Sequence, residues 1–256
     1  MDTNSWFKLV KIDNDTFAIK EDSHSEETNS YLLLDETKAL LIDTGMGVEN
    51  IFDVIKDKIK GKKLIVAITH AHWDHIGSNE HFDFIMIHEA EASWLKTFPI
   101  SLTQVKEELL KTTLPFPKDF NIEKYKLPKK EAIIYLKGEE TINLGNRKLK
   151  VIHTPGHSPG HLVFYEKSRK YLFSGDLIYK GELDSYYDST EPLLYRESIN
   201  KLLPLDIKYI FGGHHDLFLS KDLLINISKA FNYLYENKLL YHHDKVYYFE
   251  AFSIRL

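Results

Sequence analysis

"KLIVAITHAHWDHIG", residues 63–77, joins an apolar run to four side chains that bind protons and metals. Residues 63–69 read as a buried strand, and His70, His72, Asp74 and His75 follow directly. Side chains alternate along an extended chain, so His70 and His72 turn to one side. Asp74 and His75 come where the chain enters a helix and take a second heading. Four such groups are costly to bury unpaired, and a solvated patch needs no imidazoles. Imidazole nitrogens and carboxylate oxygens are zinc donors. The stretch therefore predicts a metal centre at a strand end, with donors diverging toward a pair of sites.

Two flanking stretches share one plan. "YLLLDETKALLIDTG" (31–45) and "HLVFYEKSRKYLFSGD" (161–176) each run apolar, polar turn, apolar, and each delivers an aspartate, Asp43 or Asp176. Both read as β-hairpins, as a fold of two matching halves would show. Further strands are expected near 6–11, 15–20, 63–69, 83–88, 131–136, 148–154, 207–211 and 245–254. Helices are expected near 48–60, 192–203 and 220–239, the last with Leu223, Ile227, Ala230, Phe231 and Leu234 on one face. Alternating strands and helices in both halves give an α/β class. Between the halves, residues 89–130 read as a helical insertion broken by Pro115, Pro117 and Pro128.

Composition bounds the function. Hydrophobic residues make up 43% and charged residues 28%, ordinary for a globular protein. A net charge of −5 disfavours nucleic-acid and anionic-membrane partners. With no cysteine there is no thiolate nucleophile, thiolate metal site or disulfide. No apolar run reaches the roughly 18 residues of a membrane span, and the N-terminal stretch has no signal core, so a cytoplasmic location is expected.

H-x-H-x-D-H after an apolar strand resembles the signature of the metallo-β-lactamase superfamily. Other family motifs stand in the required order: "IDTG" with Asp43 before it, then "TPGHSPGH" (154–161) with His157, "FSGD" with Asp176, and "FGGHHD" with His214. The resemblance spans about residues 15–215. It implies an αββα sandwich, here one domain over 1–256 with the helical insertion at about 89–130. It implies that His70, His72 and His157 hold one metal, that Asp74, His75 and His214 hold a second, and that Asp176 bridges them. Asp74 would also orient the nucleophile. Asp43 would tether the metal-binding loop, and His161 would support the ligands. His215, adjacent to His214, is the other ligand candidate, but the family's Gly-His pattern selects His214. Two Zn²⁺ ions are expected, with iron or manganese also acceptable to such donors. His153 is expected in the core, and His24, His81, His88, His242 and His243 on the surface.

The family resemblance implies a hydrolase that uses a metal-bound hydroxide on an ester, thioester, lactone or related acyl bond. Tyr179 stands three residues after Asp176, a spacing at which the lactonase branch places a tyrosine near the substrate carbonyl. It is the candidate oxyanion donor, against the simpler reading of a packing tyrosine. The longer pattern around Tyr179, Tyr186 and Tyr187 resembles acyl-CoA thioesterase-like members and uncharacterised bacterial hydrolases. The alternative is a mononuclear iron oxidoreductase of the persulfide dioxygenase type, which uses only a subset of these ligands. The expected substrate is a small acyl or apolar molecule. Its pocket would be walled by 89–130 and 179–190, through Trp94, Phe98, Phe116, Tyr179, Tyr186 and Tyr187. Trp73 would face that cavity or the helix behind it. Oligomeric state is not legible.

Overall fold

The computed structural model describes residues 6–130 and 133–256. The chain forms two compact units: residues up to Ile87 with 91–135 and 144–146, and residues 88–90, 136–143 and 147–256.

The first unit is built on β1 (Lys8–Lys11), β2 (Thr16–Glu21), β3 (Thr28–Leu34), β4 (Lys38–Ile42), β5 (Lys63–Ala67), β6 (Ile85–His88) and β7 (Ile133–Leu136). Among the described residues these strands lie in one sheet in chain order. β1 to β4 pair antiparallel, while β4, β5 and β6 run parallel. Strands β3 and β4 are buried almost throughout: residues 31–33 and 39–42 are apolar, while Thr28, Asn29 and Ser30 at the start of β3 are buried polar residues. β7 begins at Ile133, because the first two residues of the expected strand 131–136 lie outside the described residues.

Among the described residues, three α-helices belong to this unit: α1 (Ile51–Ile55), α2 (Trp73–Ile76) and α3 (Leu102–Leu109). The helix expected over 48–60 contracts to α1. Asn50 caps it by accepting from the Phe52 amide at 3.0 Å. Ile51, Ile55 and Ile59 are buried at helical spacing, so the apolar stripe runs past the helix end; beyond Ile55 the chain continues as turns, with the Lys58 and Ile59 amides both donating to the Ile55 carbonyl. In the insertion 89–130, α3 starts at a Ser101–Gln104 capping box. The rest holds only single turns at Glu89–Glu91 and Ile122–Lys124. Val105 and Leu109 join the sheet's own core, and Trp94, Phe98, Phe116 and Phe120 pack against it.

The second unit holds β8 (Thr141–Asn143), β9 (Lys148–His153), β10 (Leu162–Glu166), β11 (Tyr171–Gly175), β12 (Glu182–Asp184), α4 (Pro192–Leu202), β13 (Tyr209–Gly212), α5 (Lys221–Glu236), β14 (Val246–Tyr248) and β15 (Ser253–Arg255). Among the described residues one sheet has the order β13-β11-β10-β9-β8 and another β12-β15-β14. The β10–β11 hairpin is the one expected at 161–176. The single strand expected over 245–254 is instead a hairpin of β14 and β15, turned at Phe249 and Phe252. On α5 the expected face of Leu223, Ile227, Ala230, Phe231 and Leu234 is buried. It meets α4, where the Tyr195 and Phe231 rings stack at 4.7 Å.

Two histidines expected at the surface are buried. His24 is enclosed in the first unit, its Nδ1 accepting from the Glu26 amide and its Nε2 beside the Glu108 carbonyl. His88, in the second unit, stacks on His153 at 4.0 Å between ring centroids. His153 is only half-buried, and its Nε2 donates to the Pro159 carbonyl.

Burial first, and the neighbouring His153 second, hold His88 below the ordinary histidine pKa, against smaller opposing contributions from Glu89, the Lys137 backbone and Glu140. The unfolded chain therefore binds this proton more readily than the folded one. The folded state keeps its full stability above about pH 6.5 and loses part of it as the pH falls from there toward the lowered folded value. His88→Gln should flatten that decline in denaturant titrations between pH 7 and pH 5. A slope equal to that of the parent chain would remove His88 as its source.

Candidate metal centre

In the first unit the parallel strands β4, β5 and β6 end at one edge of the sheet, where open α/β sheets place their ligands. Asp43 follows β4, and His70 follows β5. Asp43 takes a left-handed φ of 61°. Its Oδ1 accepts from the Thr69 amide at 2.7 Å, and its Oδ2 from the Thr69 hydroxyl at 2.8 Å. The same Oδ2 lies 3.0 Å from His75 Nδ1. Burial raises the Asp43 carboxyl above its usual range, opposed by His75 and the Thr69 bonds. With Nδ1 turned to Asp43, His75 presents Nε2, which lies 3.3 Å from Asp74 Oδ2. The Thr28 hydroxyl donates to that Asp74 oxygen at 3.3 Å. The His70 ring lies 4.5 Å from His72 and 4.4 Å from His75, centroid to centroid.

The loop after β4 is fixed to α2 by backbone. The Thr44 amide donates to the His75 carbonyl at 2.8 Å, and the Gly77 amide to the Gly45 carbonyl at 2.6 Å. Gly77 is glycine because the two backbones touch: an added Cβ would lie 2.1 Å from the Met46 carbonyl carbon and 2.2 Å from the Gly47 nitrogen. Glu21 props the loop from behind, accepting from the Trp6 indole at 2.6 Å and the Met46 amide at 2.9 Å. Burial pushes its carboxyl up to about 8. Trp73 turns into the hydrophobic core of this unit.

In the second unit β9, β11 and β13 run in the same direction, since β10 is antiparallel to both β9 and β11 and β11 is parallel to β13. His157, Asp176 and His214 follow their C-terminal ends. Asp176 Oδ2 lies 3.0 Å from His214 Nε2 and 3.5 Å from His157 Nε2. His157 Nδ1 sits 3.3 Å from the Asp184 carbonyl. A carbonyl only accepts, so Nδ1 carries the proton and the neutral ring presents the Nε2 lone pair to Asp176. Two lone pairs that face each other in a buried place need a proton or a cation between them. The donor set thus fits a divalent metal by its own chemistry.

His161 is fully buried and has both nitrogens in use. Nε2 accepts from the Asp176 amide at 3.2 Å, so Nδ1 carries the proton and donates to the Thr154 hydroxyl at 3.0 Å. The Tyr195 hydroxyl is shared by the Asp176 and Leu177 carbonyls at 2.9 and 3.0 Å. Ser198, one turn on, donates to the Pro155 carbonyl at 2.7 Å. Helix α4 therefore grips both ligand loops. His215 takes a left-handed φ of 58°, which turns it from His214 toward Tyr179 and Gly181. Tyr179 is buried, and its hydroxyl donates to the Glu182 carbonyl. A phenol has one proton, so the expected oxyanion donor must first break this bond. Tyr186 and Tyr187 stack on each other at 4.0 Å.

Sequence reasoning missed Thr28, Glu91 and the Asp184 carbonyl. Fully buried Glu91 accepts from the amide of Ala71, the residue between His70 and His72. The Trp94 ring stacks on His72 at 5.8 Å and 7°. The N-terminal part of the insertion is thereby placed against the HxHxDH stretch.

Buried imidazoles and carboxylates at strand ends, without a cysteine, define a metal-dependent hydrolase class. The chain belongs to the metallo-beta-lactamase superfamily, whose family model matches residues 26–214. The human acyl-coenzyme A thioesterase MBLAC2 is 26% identical over 238 residues, covering 85% of this chain and 84% of that protein. The hydroxyacylglutathione hydrolase GloC of Haemophilus influenzae is 27% identical over 191 residues, covering 70% and 81%. The fold matches that of a metallo-beta-lactamase from Pontibacter korlensis with a TM-score of 0.65 at 18% identity, covering 88% of this chain and 99% of the other. The fold is thus of the metallo-β-lactamase type, with the α/β character expected from the sequence. Among the described residues no helix is long and apolar enough to cross a membrane.

Proposed function

We propose that this chain is a dinuclear metal-dependent thioesterase acting on an acyl thioester with an apolar acyl group. His70, His72 and His157 would hold one ion, Asp74, His75 and His214 the other, and Asp176 would be shared; zinc is the expected metal. The observation that carries the reading is the orientation of the imidazoles. His157 is fixed by a backbone carbonyl, and His75 by Asp43, so that each presents Nε2 to a buried carboxylate. Similarity to an acyl-coenzyme A thioesterase over most of both chains supports the thioester reading.

When bound, the ions supply Lewis acidity that polarises the thioester carbonyl and lowers the pKa of water. The protein's own part is orientation and proton transfer. Asp74, held by the Thr28 hydroxyl, accepts a proton from the attacking water at its carboxylate. The same proton then passes to the departing sulfur as the carbon–sulfur bond breaks, giving a carboxylic acid and a thiol. Asp43 and Asp184 hold the His75 and His157 rings in the metal-binding tautomer. Trp94 and its apolar neighbours in the insertion are proposed as one wall for the acyl chain.

The test is a panel of acyl-CoA thioesters of graded chain length, lactones and phosphorylated compounds, given to the metal-loaded chain with its metal content measured. Two ions per chain and preferred turnover of the longer acyl thioesters are expected. One ion after full supplementation contradicts the dinuclear reading. Turnover of only small polar or phosphorylated compounds contradicts the acyl substrate. Because the Tyr179 proton is committed to Glu182, Tyr179→Phe should lower kcat by less than about tenfold. A loss of 10²–10³-fold, the usual cost of an oxyanion donor, would restore it to that role.

A further inference from the structure

We infer that Glu91 is a positioning residue for the His70–His72 arm, a role that rests on the metal centre proposed above. β5 and β6 are parallel neighbours, joined where the Ile68 amide donates to the Met86 carbonyl at 2.8 Å. Their C-terminal ends therefore lie side by side. β5 runs on to His70, and the chain after β6 folds into the short turn that ends at Glu91. That turn brings a carboxylate to a place where no solvent reaches it.

Glu91 Oε2 takes the amide proton of Ala71, which is itself fully buried. This peptide links His70 to Ala71, the residue before His72, so its tilt bears on the direction of both imidazoles. One turn further on, the Trp94 amide donates to the Glu91 carbonyl at 2.9 Å, and the Trp94 ring covers the face of His72. A single turn of chain thus fixes the arm twice, by a buried carboxyl acceptor beneath its backbone and by a flat ring against its second imidazole. A carboxyl oxygen is a strong acceptor for a backbone amide, and this one lies beside the arm assigned to a cation. A surface glutamate would give neither effect. Burying one is costly and is offset only where it holds something.

The role predicts a selective effect. Outer partners of metal ligands change metal retention by about 10–100-fold. Glu91→Ala removes the acceptor, and Glu91→Gln keeps a neutral one of the same shape. The chain is loaded with Co²⁺, its visible ligand-field spectrum is recorded, and release of each ion to a chelator is timed. In Glu91→Ala the ion held by His70 and His72 should leave about 100-fold faster with a changed spectrum, while the other ion leaves within about threefold of the parent rate. Glu91→Gln should fall between, at about tenfold. General loosening of the fold would instead speed both ions together, and that result overturns the role. Parent-like spectra and release rates in a folded Glu91→Gln chain overturn it as well, even where Glu91→Ala fails to fold. A parent chain that binds no Co²⁺ or Zn²⁺ refutes the metal centre itself, an outcome distinct from a metal-binding chain indifferent to Glu91.

Discussion

Replacing Asp176 with alanine is expected to abolish hydrolysis, by about 10³-fold or more, and to leave at most one ion per chain. A 10³-fold loss corresponds to about 4 kcal/mol of transition-state stabilisation. The reason is the place of one atom: Asp176 Oδ2 lies near both His214 and His157 Nε2. Without it the proposed shared ligand is gone, and His157 and His214 lose the carboxylate that faces both of them. The fold should survive, because the residue's other anchors are backbone. His161 still accepts from its amide, and Tyr195 still donates to its carbonyl. Metal analysis, acyl-CoA hydrolysis and a melting curve on one preparation separate these effects. His215→Asn is the matched control, since asparagine tolerates the left-handed backbone there. It should keep both ions. A fully active Asp176→Ala chain with two ions would end the shared-ligand assignment.

The second large effect is expected at Gly77, on stability. Its φ of −57° suits any residue, so the demand for glycine is purely one of space. An alanine methyl would meet three backbone atoms of Met46 and Gly47 within 2.4 Å, and a backbone cannot swing aside as a side chain does. The loop after β4 must move off α2, which breaks the Gly77–Gly45 and Thr44–His75 bonds. Overpacking and two lost buried hydrogen bonds together cost about 3 kcal/mol or more. For a chain of this size that lowers the melting temperature by about 6–12 °C. Gly61→Ala is the comparison, with a φ of +76° but open space around it. It should lose only the roughly 1–2 kcal/mol of a left-handed alanine. Equal effects at the two positions would refute the close-contact argument.

What was legible in the sequence depended on whether a residue announces its role by type and spacing. Strand-end donors do so. H-x-H-x-D-H cannot be mistaken for a core pattern; Asp43 stands directly behind the apolar run at residues 40–42, and His157, Asp176 and His214 each stand directly behind a glycine. The buried face of α5 was legible for the same reason, as a period in the chain. Glu91 was not. It stands two residues from Glu89 in "HEAEASW", and the two look alike in sequence, yet Glu89 is exposed and Glu91 is sealed. Only the parallel pairing of β5 with β6 decides which carboxylate meets Ala71. The Asp184 contribution was illegible in another way, since it is a carbonyl that any residue possesses. Burial of His24 and His88 also comes from tertiary packing that no local pattern encodes. The three-residue strands β8, β12, β14 and β15 are too short to carry a period.

The order of the donors along the chain bears on biosynthesis. His70, His72, Asp74 and His75 belong to a unit made almost wholly of residues before 147, its sheet laid down strand by strand in the order of translation. His157, Asp176 and His214 are all added later. At ordinary elongation rates the ribosome needs roughly 4–14 s to travel from the last residue of that unit to His214. During this interval the nascent chain carries four of the proposed ligands without the other three. On the proposed ligand set, metal capture would then be a late event in the making of this protein, completed only after the chain is finished in length.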